Sequence, residues 1–314
     1  MSDWKPEACL AALRLRARLL ARIRDFFADR GILEVETPLL GRITTLEPHV
    51  ESLRVPIEGE TLYLQTSPEH AMKRLVAAGS GPIYQIGKAF RSGESGARHH
   101  REFTLVEWYR PGLDTSSLMD EVSGFVEHVL GCRPAERESY AAIFARHLGV
   151  DPHSASPAVL ERTYWDLGLP SIDASGLDRA DWLDLLMAEA IEPKIGGEVP
   201  LLIFDYPVEL AANARVRGGR QPVADRFELY FRGLELANGY GELTDAIEQR
   251  HRFVANRRRR EELGRHLPPI DDLLLQAMEA GFPECSGVAL GFDRLVMIAA
   301  SARTIADVLS FREV

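Results

Sequence analysis

The segment KAFRSGESGARHHREFTLVEWYR, residues 88–110, concentrates side chains that can bind a phosphorylated ligand. Two apolar runs, PIYQIGKAF and EFTLVEWYR, are predicted to be β-strands, and the loop between them is rich in Arg, Glu, His and Gly. A tight hairpin needs only about two to five connecting residues, so this longer loop indicates a role beyond reversing the chain. Its histidines, taken alone, are typical of surface residues.

Two arginines and three glutamates extend this chemistry. Arg91 ends the first predicted strand, and Arg294, in GFDRLVMI, lies at the start of the last predicted helix. Guanidinium groups on rigid elements are well suited to phosphate oxygens. Glu228, Glu235 and Glu242 lie on predicted strands, where carboxylates can hold Mg²⁺. Each residue alone is more often structural or solvated, and their combination is what indicates a site. The P-loop and Rossmann glycine signatures are both missing from the sequence.

Composition limits the classes of protein to consider. The 314 residues are 46% apolar and 27% charged, which is typical of a globular protein. A net charge of -10 argues against a general nucleic-acid binder, although it leaves room for a local basic patch. The three cysteines are widely spaced, so we expect neither a disulfide scaffold nor a zinc site. This cysteine usage fits a protein of the reducing cytoplasm best. Arginines interrupt the first apolar stretches, so we expect neither a signal peptide nor a membrane span.

The pattern of elements favours the α+β class. An amphipathic helix is predicted over residues 8–29, and a second helix, AMKRLVAAG, with Ser67 as its N-cap. Residues 115–200 read as a succession of helices, which we interpret as a helical insertion. Strands that follow one another directly predict a mainly antiparallel sheet flanked by helices. The remaining predicted strands are LRVPI, TLYLQTS, LLIFDYP, RFELYF, GLELANGYG and GVALGF.

Four segments in order resemble the catalytic core of class II aminoacyl-tRNA synthetases, most closely the lysyl enzymes. EVETPLL is similar to motif 1, FRSGESGARHHREFTLVEWY to motif 2 and GVALGFDR to motif 3, while ELANGYGEL is similar to the lysyl substrate segment. The resemblance implies one catalytic domain over residues 1–314, with no anticodon-binding OB-fold. Ala289, where lysyl enzymes typically have Gly, and the run EWYRP resemble the elongation factor P–(R)-β-lysine ligase family, which are free-standing paralogues of lysyl-tRNA synthetase.

That resemblance implies an ATP-dependent ligase. Its members activate (R)-β-lysine, and α-lysine less well, as an aminoacyl-adenylate, and transfer it to a lysine side chain of elongation factor P. The implied cofactor is Mg²⁺, with ATP as a substrate. The expected partners are elongation factor P and a second copy of the chain, which meets the first at the motif 1 proline. No tRNA binding and no membrane association are expected.

The resemblance also assigns residues. Arg91 would clamp the α-phosphate and the substrate carboxylate, and Arg294 with His99 would meet the γ-phosphate; Glu228 and Glu235 would hold the metal. The implied catalytic set is Arg91, Arg294 and Glu235. The implied ATP site comprises Arg91, Ser92, Gly93, Glu94, His99, His100, Phe103, Glu235, Leu236, Gly291 and Arg294, with Phe103 stacked under the adenine. The implied amino-acid site comprises Ser67, Pro68, Glu69, Glu107, Tyr109, Asn238, Glu242 and Ala289.

Some positions depart from the family or stay ambiguous. Motif 2 normally has Glu where Gly93 stands, and here the carboxylate comes one residue later, at Glu94. We hypothesise that Ala289 narrows the pocket against α-lysine, because one methyl group shifts discrimination by about 1–3 kcal/mol. The run Arg257–Arg260 is predicted to be a solvated face, with docking of an acidic partner as the alternative.

Three other functions remain open from the sequence. They are a lysyl-adenylate-forming paralogue with another acceptor, an ammonia-using asparagine synthetase of the same fold, and a non-catalytic regulatory paralogue. The amino-acid-site glutamates Glu69, Glu107 and Glu242 argue against a pocket for aspartate. A silent paralogue is disfavoured by the intact set Arg91, Glu228, Glu235 and Arg294.

Overall fold

A computed structural model describes residues 4–312. It divides the chain into two compact units, which are described separately. The first unit comprises Met1–Asp114, His128–Leu130 and Thr244–Val314, and the second comprises Thr115–Glu127 and Gly131–Leu243. None of the helices in residues 4–312 combines the length and the apolar character needed to cross a membrane.

The helices and strands are numbered along the chain. The α-helices are α1 Leu10–Ala28, α2 Glu69–Ala77, α3 Thr115–Leu130, α4 Tyr140–Leu148, α5 Pro157–Asp166, α6 Arg179–Leu186, α7 Ala246–Glu262, α8 Asp272–Gly281 and α9 Phe292–Ala300. The strands are β1 Leu33–Glu34, β2 Leu40–Gly41, β3 Arg54–Ile57, β4 Glu60–Leu64, β5 Ile83–Phe90, β6 Glu102–Pro111, β7 Glu136–Ser139, β8 Leu201–Tyr206, β9 Val216–Arg217, β10 Val223–Phe231, β11 Leu234–Gly241 and β12 Cys285–Gly291.

The first unit is built on strands β5, β6 and β12, which pair antiparallel, with β1 added parallel to β5. One face of β5 and β6 packs on helix α1, where the Phe27 ring stacks on Tyr84 at 4.1 Å and meets Trp108 edge-on. Side chains alternate between the faces of a strand. Glu107 and Tyr109 therefore lie on the face opposite α1, and the pairing register places Ala289 directly across from Glu107.

The second unit contains a sheet in which β10 pairs antiparallel with β11, β8 and β9, and β7 is added parallel to β8. Helices α4 to α6 share an apolar core with these strands, centred on Tyr140, Phe144, Tyr164 and Trp182. A bulge between Leu229 and Tyr230 shifts the register of β10 against β11. The predicted α+β class with a mainly antiparallel sheet is confirmed. Residues 115–200 contain helices α3 to α6 and strand β7.

One prediction about the first unit needs correction, and two of its helices were not predicted. Pro68, not Ser67, occupies the N-cap position of α2. The Ser67 hydroxyl still accepts a hydrogen bond from the Glu69 backbone N–H at 3.1 Å, because the chain already curves into the helix there. Helices α7 and α8 were not predicted. In α7, charged side chains dominate and few positions are apolar.

Candidate active site

Arg91 lies immediately after β5 and is held on three sides. Its Nε donates to the Thr66 carbonyl at 3.4 Å, and its Nη1 lies 3.3 Å from Glu94 Oε1. Its guanidinium carbon lies 5.1 Å from the centre of the Phe103 ring, a distance typical of cation–π contact. Gly93 has a φ of +89°, which side chains with a Cβ rarely adopt. This turn brings Glu94 back to Arg91. The positive φ therefore explains why a glycine, and not a glutamate, stands at position 93.

His99 joins this loop to helix α9. Its Nε2 lies 2.6 Å from Arg294 Nη2. Because a guanidinium can only donate, Nε2 is the unprotonated acceptor of the imidazole. Burial lowers the pKa of His99, and the positive charges of Arg294 and Arg91 lower it further, against the opposing effect of Glu94. The structure therefore groups Arg91, Glu94, His99 and Arg294 around one loop.

The position of α9 is fixed by Asp293, a residue that the sequence analysis did not single out. Its carboxylate accepts from Arg16 Nη1 at 2.5 Å and from the Thr104 backbone N–H at 2.6 Å. Arg16 also donates to the Thr104 hydroxyl at 2.9 Å. Asp293 thereby connects α1, β6 and α9, and sets the start of the helix from which Arg294 projects. An acid inside the apolar run GFDRLVMI was the available signal.

Glu107 is a buried carboxylate on the face of β6 opposite α1. Its Oε2 accepts from the Ser67 hydroxyl at 2.8 Å and its Oε1 accepts from the Tyr109 hydroxyl at 2.7 Å. Only 2% of the residue is exposed. Hydroxyl donors orient a carboxylate and leave its negative charge in place. The structure thus assembles three predicted amino-acid-binding residues, Ser67, Glu107 and Tyr109, into one hydrogen-bonded group.

Glu69 has a cationic neighbour that the sequence analysis missed. Lys73 Nζ lies 2.6 Å from Glu69 Oε1 one helical turn away, and the lysine side chain is 3% exposed. Pairs at i and i+4 lie on one helix face, so the spacing in SPEHAMK was the available signal. Pro68, the preceding residue, is buried at the helix start.

Two further predicted residues lie on β12. Ala289 pairs with Glu107 across the strands, and its side chain therefore shares the face of that carboxylate. Gly291 is the N-cap residue of α9.

Ser92 and His100 are fixed through main-chain bonds. The Ser92 N–H donates to the Glu51 carbonyl at 2.7 Å. His100 Nδ1 lies 2.7 Å from the Glu102 carbonyl oxygen and 3.3 Å from the Glu102 backbone nitrogen. His100 also lines a cavity of about 400 Å³ together with Lys88, Glu102 and Leu309. Its predicted contact with ATP stays a prediction.

In the second unit, Glu228 is buried among three donors. Its Oε2 accepts from the Tyr206 hydroxyl at 2.7 Å and from the Tyr230 hydroxyl, and its Oε1 accepts from Arg226. Burial raises the pKa of Tyr206 and of Tyr230 well above the ordinary value, and the charge of Glu228 adds to both shifts. A carboxylate oxygen has two lone pairs, so Oε1 retains one acceptor position for another ligand.

The other predicted residues of this unit follow on β11. Glu235 pairs with Tyr230 beyond the bulge, and Asn238 pairs with Glu228. Asn238 Oδ1 accepts from Arg226 Nε at 3.3 Å. Leu236 is buried at the bulge, and Glu242, 1% exposed, follows the strand.

The chain offers carboxylates for a metal, but few at one place. Within residues 4–312, no group of three or more His, Cys, Asp or Glu side chains is arranged to hold an ion. Mg²⁺ in nucleotide sites is commonly held by one or two carboxylates, with phosphates and water as the other ligands. The all-oxygen set of Glu228 and Glu235 fits that requirement chemically.

The predicted solvated run Arg257–Arg260 is wrong for its last residue. Arg260 is 1% exposed, and its guanidinium donates to the carbonyls of Glu47 and Val50 at 2.8 and 2.7 Å. It also meets Glu51 Oε2 at 2.5 Å. The run belongs to α7, whose 3.6-residue period turns one arginine of the four inward.

Comparison with known proteins gives one family. The family model described as "tRNA synthetases class II (D, K and N)" matches residues 1–314. A protein of Photorhabdus laumondii, described as an elongation factor P–(R)-β-lysine ligase, is 47% identical over 99% of this chain and 97% of its own length. Proteins with the same description from Erwinia tasmaniensis and Proteus mirabilis are 47% and 46% identical, each over 99% of this chain and 98% of their own length.

Proposed function

The chain belongs to the class II tRNA synthetase family of the D, K and N enzymes, and from this premise we propose that it is an ATP-dependent ligase acting on elongation factor P. It activates (R)-β-lysine as an adenylate and transfers the β-lysyl group to a lysine side chain of that factor. Near-full-length identity of 46–47% to ligases of this description supports the proposal.

The observation that carries the proposal is the grouping of Arg91, His99 and Arg294 around one loop. Adenylation brings an anionic carboxylate against the α-phosphate of an anionic nucleotide, so positive groups must offset the repulsion and the charge of the leaving pyrophosphate. Arg91 binds the α-phosphate and the β-lysine carboxylate. Arg294 and His99 bind the γ-phosphate, and Phe103 stacks under the adenine, with Glu94 near the base.

The remaining ATP contacts are assigned by position. Ser92, Gly93 and His100 belong to the motif 2 loop, Gly291 starts α9, and Glu235 and Leu236 come from β11. Glu228 and Glu235 hold the Mg²⁺ that accompanies ATP. When bound, the metal supplies positive charge that neutralises the phosphates.

The amino-acid site must receive two ammonium groups, and each leaves water at low cost only beside a carboxylate. Glu107, oriented by Ser67 and Tyr109, binds one of them. Glu69 and Glu242 complete the acidic set, while Pro68, Asn238 and Ala289 shape the site. We propose that α-lysine is accepted less well than β-lysine.

Three further features belong to this proposal. The enzyme works in the cytoplasm, as the free thiols of Cys9, Cys132 and Cys285 suggest. It acts as a homodimer through the segment around Pro38. It uses a protein acceptor and no tRNA.

Pyrophosphate exchange with β-lysine, α-lysine and aspartate tests the activation step. We expect exchange with β-lysine above α-lysine, and none with aspartate. Glu107→Gln should raise the KM for β-lysine by about 100-fold or more, because one ammonium loses a buried charged partner.

Glu102→Gln is the matched control, since Glu102 is an exposed residue of the same strand, paired with Lys88 at 3.0 Å. Equal KM values for the two variants would contradict the assignment of Glu107. Incubation with ATP, β-lysine and elongation factor P should add one β-lysyl mass to the factor. Exchange without that added mass would point to another acceptor.

A further inference from the structure

A cavity of about 320 Å³ in the first unit connects Arg91 with the protein surface. Ser67, Pro68 and Glu69 line it beside Arg91, and the exposed residues Arg42, Arg74 and Leu273 line it farther out. Its volume is at the lower limit of ligand pockets, about 300–1,000 Å³, and is suited to a single flexible side chain. Arg91, which is proposed to bind the substrate carboxylate, therefore lies in a cavity that a side chain can enter from outside.

His70 and Asp271 form a hydrogen-bonded pair in the wall of this cavity. His70 Nδ1 lies 3.0 Å from Asp271 Oδ2, and both residues line the cavity. A carboxylate only accepts, so Nδ1 carries the proton and Nε2 is the acceptor nitrogen of the neutral ring. The described contacts of residues 4–312 give Nε2 no hydrogen-bond partner. This is the tautomer and orientation that a general base requires.

We propose that His70, oriented by Asp271, is the general base of the transfer step, taking a proton from the acceptor lysine when that side chain enters this cavity. The inference rests on the proposed function, because it needs an adenylate and a lysine acceptor. A lysine ammonium has a pKa of about 10.4, so the group is largely protonated at neutral pH and cannot attack until it loses a proton.

The transfer consists of a proton transfer, one bond formed and one bond broken. The acceptor ammonium gives one proton to His70 Nε2, and the freed lone pair of its nitrogen attacks the carbonyl carbon of β-lysyl adenylate. A C–N bond forms, the bond between the carbonyl carbon and the phosphate oxygen breaks, and AMP leaves with that electron pair. The second proton on the nitrogen and the proton on His70 pass to water.

Charged groups of both signs surround His70, and Asp271 is the one in direct contact with it. Asp271, the N-cap of α8, is itself ionised: burial would raise its pKa, but its hydrogen bonds with His70 and with the Leu274 N–H lower it overall. On α2 the neighbours are the Glu69–Lys73 pair and Arg74, and on the cavity wall Arg42 and Glu47. From α7 the Phe253 ring lies 5.7 Å away, and Arg250 is paired with Asp272.

The test compares two rates in each variant: β-lysine-dependent pyrophosphate exchange, and single-turnover transfer from pre-formed adenylate to elongation factor P. Their ratio cancels any loss of folded protein. His70→Asn keeps an N–H for Asp271 and removes the base. We expect its transfer-to-exchange ratio to fall by about 100-fold or more at pH 7, since general bases contribute about 10²–10⁴.

The pH profile separates a base from a structural tether. In His70→Asn the transfer rate should rise about tenfold per pH unit from pH 7 to 9, following the free amine, whereas the unchanged enzyme reaches a plateau. Asp271→Asn, which keeps an oxygen for the α8 cap, turns an amide N–H toward His70 Nδ1 and so reverses the tautomer of the ring; it should lower the transfer-to-exchange ratio. His251→Asn, on an exposed residue of α7, is the control and should keep the ratio of the unchanged enzyme.

Two outcomes overturn the inference: a His70→Asn ratio within threefold of the unchanged enzyme, or a lowered ratio whose pH profile keeps the original plateau. Failure of the proposed function looks different. In that case the unchanged enzyme shows no exchange with β-lysine, or no transfer to elongation factor P at any pH.

Discussion

Replacing Arg260 with methionine tests whether one buried guanidinium holds the chain segment that follows β2. The guanidinium makes four hydrogen bonds, to the carbonyls of His266, Glu47 and Val50 at 2.7, 2.8 and 2.7 Å and to Glu51 Oε2 at 2.5 Å. A hydrogen bond to a charged group contributes about 1.5–3 kcal/mol, but the released carbonyls regain some water. We therefore expect a loss of about 3–5 kcal/mol, the range for breaking a buried ion pair.

Arg258→Met is the matched control, because it makes the same change two residues earlier in the same helix. Arg258 is 82% exposed and meets Glu262 at 3.3 Å, a surface pair that contributes about 0.3–0.5 kcal/mol. Urea unfolding followed by circular dichroism gives both free energies. At about 2–4 °C per kcal/mol, the Arg260 variant should also melt roughly 6–20 °C lower. Two variants that agree within about 0.5 kcal/mol would refute the reasoning.

Three further predictions concern ATP, pH and substrate choice. Burial and the charges of Arg294 and Arg91 lower the pKa of His99, and the triphosphate opposes the effect of those charges, so ATP binding near pH 6.5 should take up protons at His99. Calorimetry in buffers of different ionisation enthalpy measures the uptake, and His99→Gln should reduce it. In the enzyme without ATP, the same lowered pKa gives a contribution to stability that is complete above about pH 6.5 and is lost as the pH falls through the folded-state pKa. Ala289→Gly should raise α-lysine activation relative to β-lysine by about 5- to 150-fold, corresponding to about 1–3 kcal/mol, and an unchanged ratio would remove Ala289 from specificity.

Most of the longer strands follow from the sequence because their apolar runs are short, β-branched or aromatic, and bounded by turn residues, whereas the short strands β1, β2, β7 and β9 were not predicted. PIYQIGKAF and EFTLVEWYR became β5 and β6. Helix α7 escaped prediction because AIEQRHRFVANRRRREE has too few apolar residues to mark a buried face. Its inward side is instead made of Gln249, Phe253 and Arg260, two of them polar.

The candidate site divides in the same way. The motif 2 loop and Arg294 are evident as a concentration of charge, and the structure groups them. The partners of those residues depend on contacts between distant parts of the chain, such as Arg16 with Asp293 across 277 positions. Local spacing carries no information about such pairs. Lys73 is the exception, because its separation from Glu69 by one helical turn is visible in the sequence.

The two carboxylates placed beside the substrate in the first unit have different described partners, and this difference constrains recognition. Glu107 accepts hydrogen bonds from the hydroxyls of Ser67 and Tyr109, which orient it. Glu69 already faces the ammonium of Lys73, so a substrate ammonium there adds a second positive charge to one carboxylate. Because like charges repel at such distances, Lys73 weakens Glu69 as a site for a substrate ammonium. Glu69 then acts mainly through position, in the wall of the cavity that His70 also lines.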